Sequence, residues 1–230
     1  MGTIEAKSLL DRAATILTDS SGEFWSPEEL LDWLNDGQRQ VVMLRPDANV
    51  KHQEIELDST DARQEVSADD AVLLIDVPRN MGSDGSSPGR AITFVEKRVL
   101  DQQEPGWHES MGNEVSHFAH DPRDPLVFYV YPRCEGYVEI IFSAVPEKIT
   151  DSSTETIGVP DIFANALIDY ILYRAALKDA DYNPNDQRAE SFRQVFVSDL
   201  GMQAQSASAM GPNASSAGRV STPGVQNENQ

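Results

Sequence analysis

Apolar residues recur at helical spacing near both ends of the chain. Residues 3–17 and 26–44, and then residues 160–178 and 183–200, carry apolar positions three and four residues apart, which predicts four amphipathic helices. The predicted faces are Ile4, Leu9, Leu10, Ala13, Ile16 and Leu17; Leu30, Leu34, Val41 and Leu44; Ile162, Phe163, Ala166, Leu167, Tyr170, Ile171, Arg174 and Leu177; and Phe192, Val195, Phe196 and Leu200. The third face is too broadly apolar to stay exposed, and the other long apolar helices lie at the opposite end of the chain. We therefore predict that both ends build one hydrophobic core.

The clearest local signal is the start of the second helix. Ser26, Pro27 and Glu29 have the order of an N-cap, a first-turn proline and a capping-box acid. Trp25 and Leu30 stand at the two positions of a hydrophobic staple across the same helix start. These residues predict that the second helix begins at residue 27.

The other helices carry simpler signals. Thr3 is the expected cap of the first helix, and Pro160 suits the first turn of the third. Asn183 and Pro184 suit the N-cap and first position of the fourth. Gly37, inside the second helix, marks either a close approach of another backbone or a tolerated weakness.

Residues 50–146 have a strand-like pattern instead. Residues 52–57 alternate weakly, and the continuous apolar run at 71–77 predicts a buried strand. Residues 80–89, rich in glycine and serine, predict a flexible loop. Residues 91–100 predict a strand, or a strand followed by a turn.

Two consecutive segments give the best strand signal. Residues 126–132 and 137–145 carry apolar side chains on both faces, and the short segment 133–136 joins them. This arrangement predicts a β-hairpin. Because both faces are apolar, we expect at least part of the hairpin to be covered on two sides.

The predicted fold class is α+β. A discontinuous helical bundle is expected from residues 1–49 and 147–200, with an inserted antiparallel β-rich domain at 50–146. Residues 201–230 are mainly Ala, Ser, Gly, Asn and Gln and have no aromatic residue. Such a segment cannot bury enough apolar surface to order itself, so it is either a loose tail or an arm that becomes ordered on a partner.

The charge balance limits the kinds of partner. The chain has 38 acidic against 18 basic residues, a formal net charge of −20. Gripping nucleic acid requires clustered Lys and Arg, whereas the bases here are scattered singly, so we exclude a DNA clamp. An acidic surface suits a protein that DNA slides past, and equally any soluble acidic protein.

Cysteine content and hydropathy limit the kinds of crosslink, metal site and membrane segment that the chain can form. Cys134 is the only cysteine, which excludes an internal disulfide and a multi-thiolate metal site, and we interpret it as an inert thiol near a turn. No apolar run is long enough to span a bilayer, and no basic segment precedes an apolar stretch at the N-terminus. We therefore expect neither a membrane span nor export.

Two patterns resemble metal sites, and we favour neither. His117 and His120 precede Asp121, but this spacing puts both imidazoles on one face only in a helix, and the segment reads as strand and turn. The second pattern places acids and an amide at positions 1, 3, 5 and 12 of a calcium loop, but Pro184 occupies the sixth position, where such loops need glycine. These residues are Asp179, Asp181, Asn183 and Glu190.

Nothing in the pattern predicts an enzyme. Nucleophilic catalysis needs a positioned nucleophile and base, and the sequence has no nucleophile elbow and four dispersed histidines. The loop at 82–89 lacks the Gly-Lys-Ser/Thr ending of a phosphate-binding loop. We expect no catalytic residue, cofactor or bound metal.

Several stretches in a fixed order resemble the head-to-tail adaptor (connector) proteins of tailed bacteriophages. The likeness covers residues 4–200. It rests on Glu23-Phe24-Trp25-Ser26 before a helix that ends at Arg45-Pro46, on residues 74–80, on Glu104-Pro105-Gly106-Trp107, on residues 125–132, and on a closing helix with Leu167, Tyr170 and Ala175-Ala176.

The resemblance implies a structural protein of the phage neck, assembled in the host cytoplasm. Such adaptors form a homo-oligomeric ring, typically twelvefold, under the portal protein, extend the DNA channel without binding DNA specifically, and dock a downstream neck or tail protein. In several the C-terminal segment binds the portal. Here that role implies contacts from the apolar residues of the arm, Met202, Met210, Val220 and Val225.

Other functions remain open at this point. One is a different neck protein, such as a gatekeeper or a tail terminator. Another is a carbohydrate-binding or adhesin-like module that uses Trp107, Tyr129 and Tyr131. A hydrolase or metal enzyme that depends on His117 is the third.

Overall fold

Helices at both ends of the chain enclose a β-rich middle. The structure, a computed structural model, describes residues 2–82, 84–178 and 183–210, with side chains omitted at 183–186 and 204–210. Within these residues the α-helices are α1 (Ala6–Ile16), α2 (Pro27–Leu44), α3 (Lys97–Gln103), α4 (Ala164–Lys178) and α5 (Asn183–Met210). The strands are β1 (Val50–Glu56), β2 (Arg63–Glu65), β3 (Ala71–Met81), β4 (Pro88–Ala91), β5 (Thr93–Phe94), β6 (His117–His120), β7 (Val127–Tyr131) and β8 (Tyr137–Ala144).

The two ends of the chain share one core, as the apolar spacing predicts. Helix α4 packs against α1, α2 and α5, so it is buried on several sides. Leu9 and Leu34 from the N-terminal helices and Leu167, Ile171 and Phe196 from the C-terminal helices belong to one apolar cluster. The predicted α+β fold, a discontinuous bundle with an inserted β module, is therefore confirmed.

The start of α2 follows the sequence signal. The Ser26 hydroxyl oxygen accepts a hydrogen bond from the Glu29 N–H at 3.2 Å, and Pro27 is the first helical residue. The Glu29 carboxylate instead pairs with Lys178 at 2.6 Å. A Cβ at Gly37 would lie 3.1 Å from the Tyr170 ring, so Gly37 marks a close approach, made by side chains of α4.

The predicted cap at Thr3 is wrong. Helix α1 starts at Ala6, after Glu5, which forms an isolated β-bridge with Thr156. The Thr3 hydroxyl donates to the Asp161 carboxylate at 2.6 Å, and the Thr3 N–H donates to it at 2.7 Å. These bonds, the hydroxyl's first, hold the pKa of Asp161 below its ordinary value. The residues before α1 are therefore extended and tie the N-terminus to the turn before α4.

Five residues assigned to apolar faces are exposed instead. Ile16 and Leu44 end their helices, Leu177 lies in the last turn of α4, Ile162 precedes α4, and Val195 lies one residue before the buried Phe196. At the helix ends the apolar repeat continues past the neighbouring helices. On α5, consecutive residues are about 100° apart, so Val195 turns away from the core.

Helix α5 is longer than the sequence predicted. It continues to Met210, so residues 201–210, which the sequence assigns to the low-complexity arm, are helical. Residues 202–210 contain neither glycine nor proline, and Ala, Gln and Met favour helix. The Gln203 side chain donates to the Ile162 carbonyl at 3.3 Å, which holds this part of α5 against the turn before α4.

The inserted module has two four-stranded sheets. One has the order β1-β8-β3-β4 and the other β2-β7-β6-β5, and within these sheets only the β5–β6 pair is parallel. Apolar residues of both sheets form one cluster, as in a β-sandwich. Its members include Leu74, Val77, Phe118, Phe128, Val130, Val138, Ile140 and Phe142.

The predicted hairpin of 126–132 with 137–145 is wrong. Both segments are strands, β7 and β8, but they belong to different sheets. One face of each contributes to the core between the sheets. The other face of β7 carries Tyr129 and Tyr131, which pack against a cluster that contains Leu100 and Trp107. The prediction that both faces are covered is therefore correct for β7, whereas the predicted pairing of β7 with β8 is wrong.

Two boundaries in the middle of the chain also differ. The loop predicted at 80–89 is shorter, because β3 continues to Met81 and β4 begins at Pro88. The strand predicted at 91–100 divides into the short strand β5 and the helix α3. Leu100 is the buried residue of α3, so this helix carries too few apolar positions for a periodic signal.

Candidate assembly surfaces

The two histidines of the possible metal site have structural contacts. His120 Nδ1 lies 2.8 Å from the Val127 carbonyl oxygen, and the His117 ring stacks on Tyr131. The Asp121 carboxylate pairs with Arg123, whose hydrogen bonds lower the pKa of Asp121 to about 2. Within the described residues, no group of three or more His, Cys, Asp or Glu side chains is placed to hold a metal ion.

The calcium-loop pattern lies largely outside the described residues. Asp179 and Asp181 fall in the gap between 178 and 183, and Asn183 begins α5. The prediction that this segment is a helical connection without calcium therefore remains a prediction.

The aromatic residues of the carbohydrate-binding alternative do not form an open platform. Trp107 is 1% exposed, and its indole N–H donates to the Asp101 carboxylate at 3.0 Å. Its ring meets Tyr129 edge-on at 6.0 Å between ring centres. Because stacking on a sugar needs an open aromatic face, the burial of Trp107 contradicts its use in a carbohydrate site.

Cys134 is buried within the core of the β module. Burial raises the pKa of its thiol. A buried thiol that resists ionisation is a poor nucleophile, which agrees with the interpretation of Cys134 as inert.

The four predicted arm residues are only partly within the described chain. Met202 lies on α5 and is 57% exposed. Met210 is the last residue of α5 but its side chain is outside the described set, as are Val220 and Val225 altogether. The described residues do not test whether these four residues act together, so their role in docking remains a proposal.

A groove of about 740 Å³ separates α2, α4 and α5 on one side of the bundle. We call it the α2–α4–α5 groove. Its apolar wall includes the exposed side chains of Leu44, Leu177 and Val197. Its charged residues are Glu29, Arg174, Lys178 and Arg193.

The charges of this groove are only partly compensated. Lys178 pairs with Glu29 at 2.6 Å, and Arg174 lies 3.5 Å from the Asp36 carboxylate. Arg193 has no ion pair within the described residues. The groove therefore has a net positive charge on a chain that is strongly acidic.

Two carboxylates lie near enough to interact where α4 packs on α5. Asp169 and Asp199 are both half-buried, and neither has an ion pair in the described part of the chain. Burial, and then the charge of Asp199, raises the pKa of Asp169 to about 6. We call this pair the acidic seam. Its two charges disfavour each other in the isolated chain.

The loop before α2 presents an aromatic side chain to solvent. The Asp19 carboxylate accepts hydrogen bonds from the N–H groups of Glu23, Phe24 and Trp25 at 2.9–3.0 Å. These bonds, that of Trp25 first, lower the pKa of Asp19. Phe24 is nevertheless 75% exposed. The loop thus holds an apolar residue outward on a fixed backbone.

The β module has an exposed apolar patch of its own. Ile75 and Phe94 are both exposed and line one shallow cavity of about 280 Å³. The Phe94 ring meets Phe118 edge-on, with 5.4 Å between the ring centres. Exposed apolar residues on both the bundle and the β module are typical of a protein that makes several protein contacts.

The sequence that builds this architecture matches one known family over nearly its whole described length. Residues 4–216 match the family described as SU10 adaptor protein. The chain belongs to the SU10 adaptor protein family. The matched range includes both helical ends, the β module and all of α5. The family match confirms the resemblance to phage head-to-tail adaptors. A search of curated proteins gave no match.

An SU10 adaptor protein is a component of the phage particle, where it assembles with portal and tail proteins. The surfaces that such assembly needs are apolar and charged patches, not a catalytic pocket. None of the helices in the described ranges is long and apolar enough to cross a membrane. Among these candidate surfaces, the sequence predicts only the arm residues Met202, Met210, Val220 and Val225. The groove and the seam depend on how distant helices pack.

Proposed function

We propose that this SU10 adaptor protein is a structural part of the phage neck. Its copies form a ring under the portal protein, extend the DNA channel and dock the next neck or tail protein. The observation that carries this proposal is the family match over residues 4–216, which spans the complete discontinuous bundle and its β insertion. The role requires no catalysis and no cofactor.

The charge of the chain suits a channel through which DNA passes. About twelve copies, each with a formal charge of −20, would place about −240 around the ring, screened beyond about 10 Å by salt. DNA phosphates are repelled by such a surface, so the duplex passes without specific binding. Assembly in the host cytoplasm before incorporation into the virion follows from the same role.

The C-terminal part of the chain is the proposed contact with the portal. Helix α5 extends past Leu200, the last member of the bundle core among its described side chains, and exposes Met202. Together with Met210, Val220 and Val225, Met202 supplies apolar anchors on an otherwise polar segment. Apolar anchors in a polar segment are a common means of docking onto a partner.

Electron microscopy of the full chain mixed with the phage's portal protein tests the proposal. We expect a ring of adaptor copies stacked coaxially on the portal. A chain truncated after residue 210 should bind the portal more weakly because it lacks Val220 and Val225, while the full chain with Arg90→Glu, a distant surface change on β4, should bind like the wild type. Rings of the chain that form but stay separate from the portal would instead favour a tail terminator. A chain that never joins portal rings would refute the adaptor role.

A further inference from the structure

The α2–α4–α5 groove and the acidic seam lie on different sides of the α4–α5 pair. Asp199 is seven residues after Phe192, so both lie on the same face of α5. Phe192 lines a smaller groove against the end of α1. Arg193, in contrast, lines the groove against α2, and it is about 120° from Asp199 around the helix.

The same division holds on α4. Asp169 is seven residues before Ala176, which also lines the groove beside α1. Tyr170, Tyr173 and Arg174 line the α2 side. One side of the helix pair is therefore net positive and apolar. The other side has Arg188 in its smaller groove, and it carries two carboxylates that have no ion pair within the described residues.

Exposed apolar residues flank both surfaces. Leu44, Leu177 and Val197 line the groove. Ile162 and Val195 are exposed near the seam, and Ile162 is fixed there because its carbonyl accepts a hydrogen bond from Gln203, one helical turn after Asp199. Complementary charge surrounded by apolar side chains is the composition of a protein–protein contact.

We propose that the α2–α4–α5 groove receives the acidic seam of a second copy of this chain. The inference rests on the proposed ring and names the surfaces through which its copies meet. Arg193 of one copy, which has no ion pair within the described residues, supplies the positive partner that Asp169 and Asp199 of the next copy lack. Because the two surfaces differ, every copy offers both, and repetition of such a contact closes a ring when the rotation allows it.

Charge reversal tests this contact directly in the full-length chain. Arg193→Glu makes the groove acidic like the seam, and Asp199→Arg cancels the remaining charge of Asp169, so that the seam becomes neutral. Each variant alone should self-associate at least about tenfold more weakly than the wild type, because the groove and the seam no longer attract each other. An equimolar mixture of the two variants should recover association of wild-type strength where the groove of the Asp199→Arg variant meets the seam of the Arg193→Glu variant, because both of these surfaces are unchanged. Sedimentation velocity at low salt measures the wild type, the two variants and their mixture.

Two controls separate this result from general effects of charge and folding. Arg90→Glu, which makes the same charge change on exposed β4, should associate like the wild type. Circular dichroism should show native helix content in every variant. Asp199→Asn, which only removes charge, should weaken association less than Asp199→Arg.

Two outcomes would overturn the proposal. One is a mixture that sediments as the sum of its separate variants. The other is a wild-type chain that stays monomeric up to about 1 mM, the weakest association worth assigning to a specific contact. Neither outcome affects the adaptor role, which is decided by binding to portal rings and would survive if the portal alone arranges the copies.

Discussion

Two buried amide side chains on α2 form hydrogen bonds with a segment more than 100 residues away in sequence. The Asn35 side chain donates to the Ile149 carbonyl at 3.0 Å and accepts from the Ile149 N–H at 2.9 Å. One turn later, the Gln38 side-chain oxygen accepts from the Gly158 N–H at 2.6 Å. These bonds give hydrogen-bond partners to backbone groups of the extended segment that returns from the β module to α4. In the sequence, both residues look like ordinary polar positions of a helix, so nothing local reveals this role.

Gly37 shows how closely α2 approaches α4. A Cβ there already lies 3.1 Å from Tyr170 and 3.3 Å from Leu167. Gly37→Leu should therefore lower the free energy of unfolding by about 1–3 kcal/mol, the usual effect of overpacking a core. The control is Gly201→Leu on α5, where no atom lies within 4 Å of an added Cβ. It should be neutral or stabilising by up to about 1 kcal/mol, because leucine favours helix over glycine. Urea denaturation of the two variants measures both values, and equal losses would contradict the close approach.

Asp169 should make stability depend on pH. Its pKa is raised from 3.8 to about 6, so between these values the folded chain binds a proton that the unfolded chain has lost. The contribution of this proton stabilises the fold below about pH 4 and is lost as the pH rises through about 6. Asp169→Asn removes the charge at all pH values. We expect it to raise the free energy of unfolding at pH 7 by about 1 kcal/mol, less than the full shift implies because the side chain is half exposed.

The comparison across pH isolates this effect. The difference between Asp169→Asn and the wild type should disappear at pH 4, where Asp169 is already protonated. Asp69→Asn, at an exposed position of the β module, serves as the control and should change stability little at either pH. A constant advantage of Asp169→Asn over the whole range would indicate a cause other than the carboxylate charge.

At the scale of elements, the start of a helix depends on residues within one turn of it, whereas strand pairing depends on residues that are remote in sequence. The Ser26 cap rests on residues within one turn, so the sequence predicts it without knowledge of the fold. Ser26→Ala should cost about 1 kcal/mol because the Glu29 N–H loses its acceptor. Ser8→Ala, at an exposed position inside α1, is the matched control and should be neutral or slightly stabilising. Thermal unfolding by calorimetry compares the two.

The missing hairpin shows why pairing needed the structure. Residues 126–132 and 137–145 have the length, the alternation and the short connection of a hairpin, but the same features suit neighbouring strands of two stacked sheets. The choice depends on partners that are remote in sequence. Strand β8 pairs with β1 and β3, and β7 pairs with β2 and β6. Apolar residues on both faces were the available sign that more than one layer was present.

The candidate surfaces follow the same logic. Met202 could be named from the sequence because it is an apolar residue in a polar segment. The α2–α4–α5 groove could not, because Leu44, Arg174 and Arg193 come from three helices and gain meaning only when packed together. Two of the residues that form it, Leu44 and Leu177, were assigned to the buried faces. Their exposure at the ends of helices is what makes the groove apolar.

At the scale of the whole molecule, the apolar clusters divide along the chain. The buried members of the bundle cluster lie before residue 49 and after residue 148, with Val72 of β3 packed against them, and the buried members of the β-module clusters lie within residues 57–144. We propose that residues 1–49 with 147–200, and residues 50–146, are two folding domains. In that case, a defect in one core should leave the stability of the other largely unchanged.

Matched core truncations test this division. Ile171 in α4 and Ile140 in β8 are both fully buried, and replacing either by alanine should cost about 2–5 kcal/mol within its own core. With Ile171→Ala, amide hydrogen exchange should accelerate in α1, more than 150 residues away in sequence but in the same core, and remain unchanged in β8. With Ile140→Ala the pattern should reverse, because exchange from each core reports the opening of that core alone. Faster exchange in both regions from either variant would show that the chain unfolds as one cooperative unit, with the β insertion stabilising the bundle that carries it.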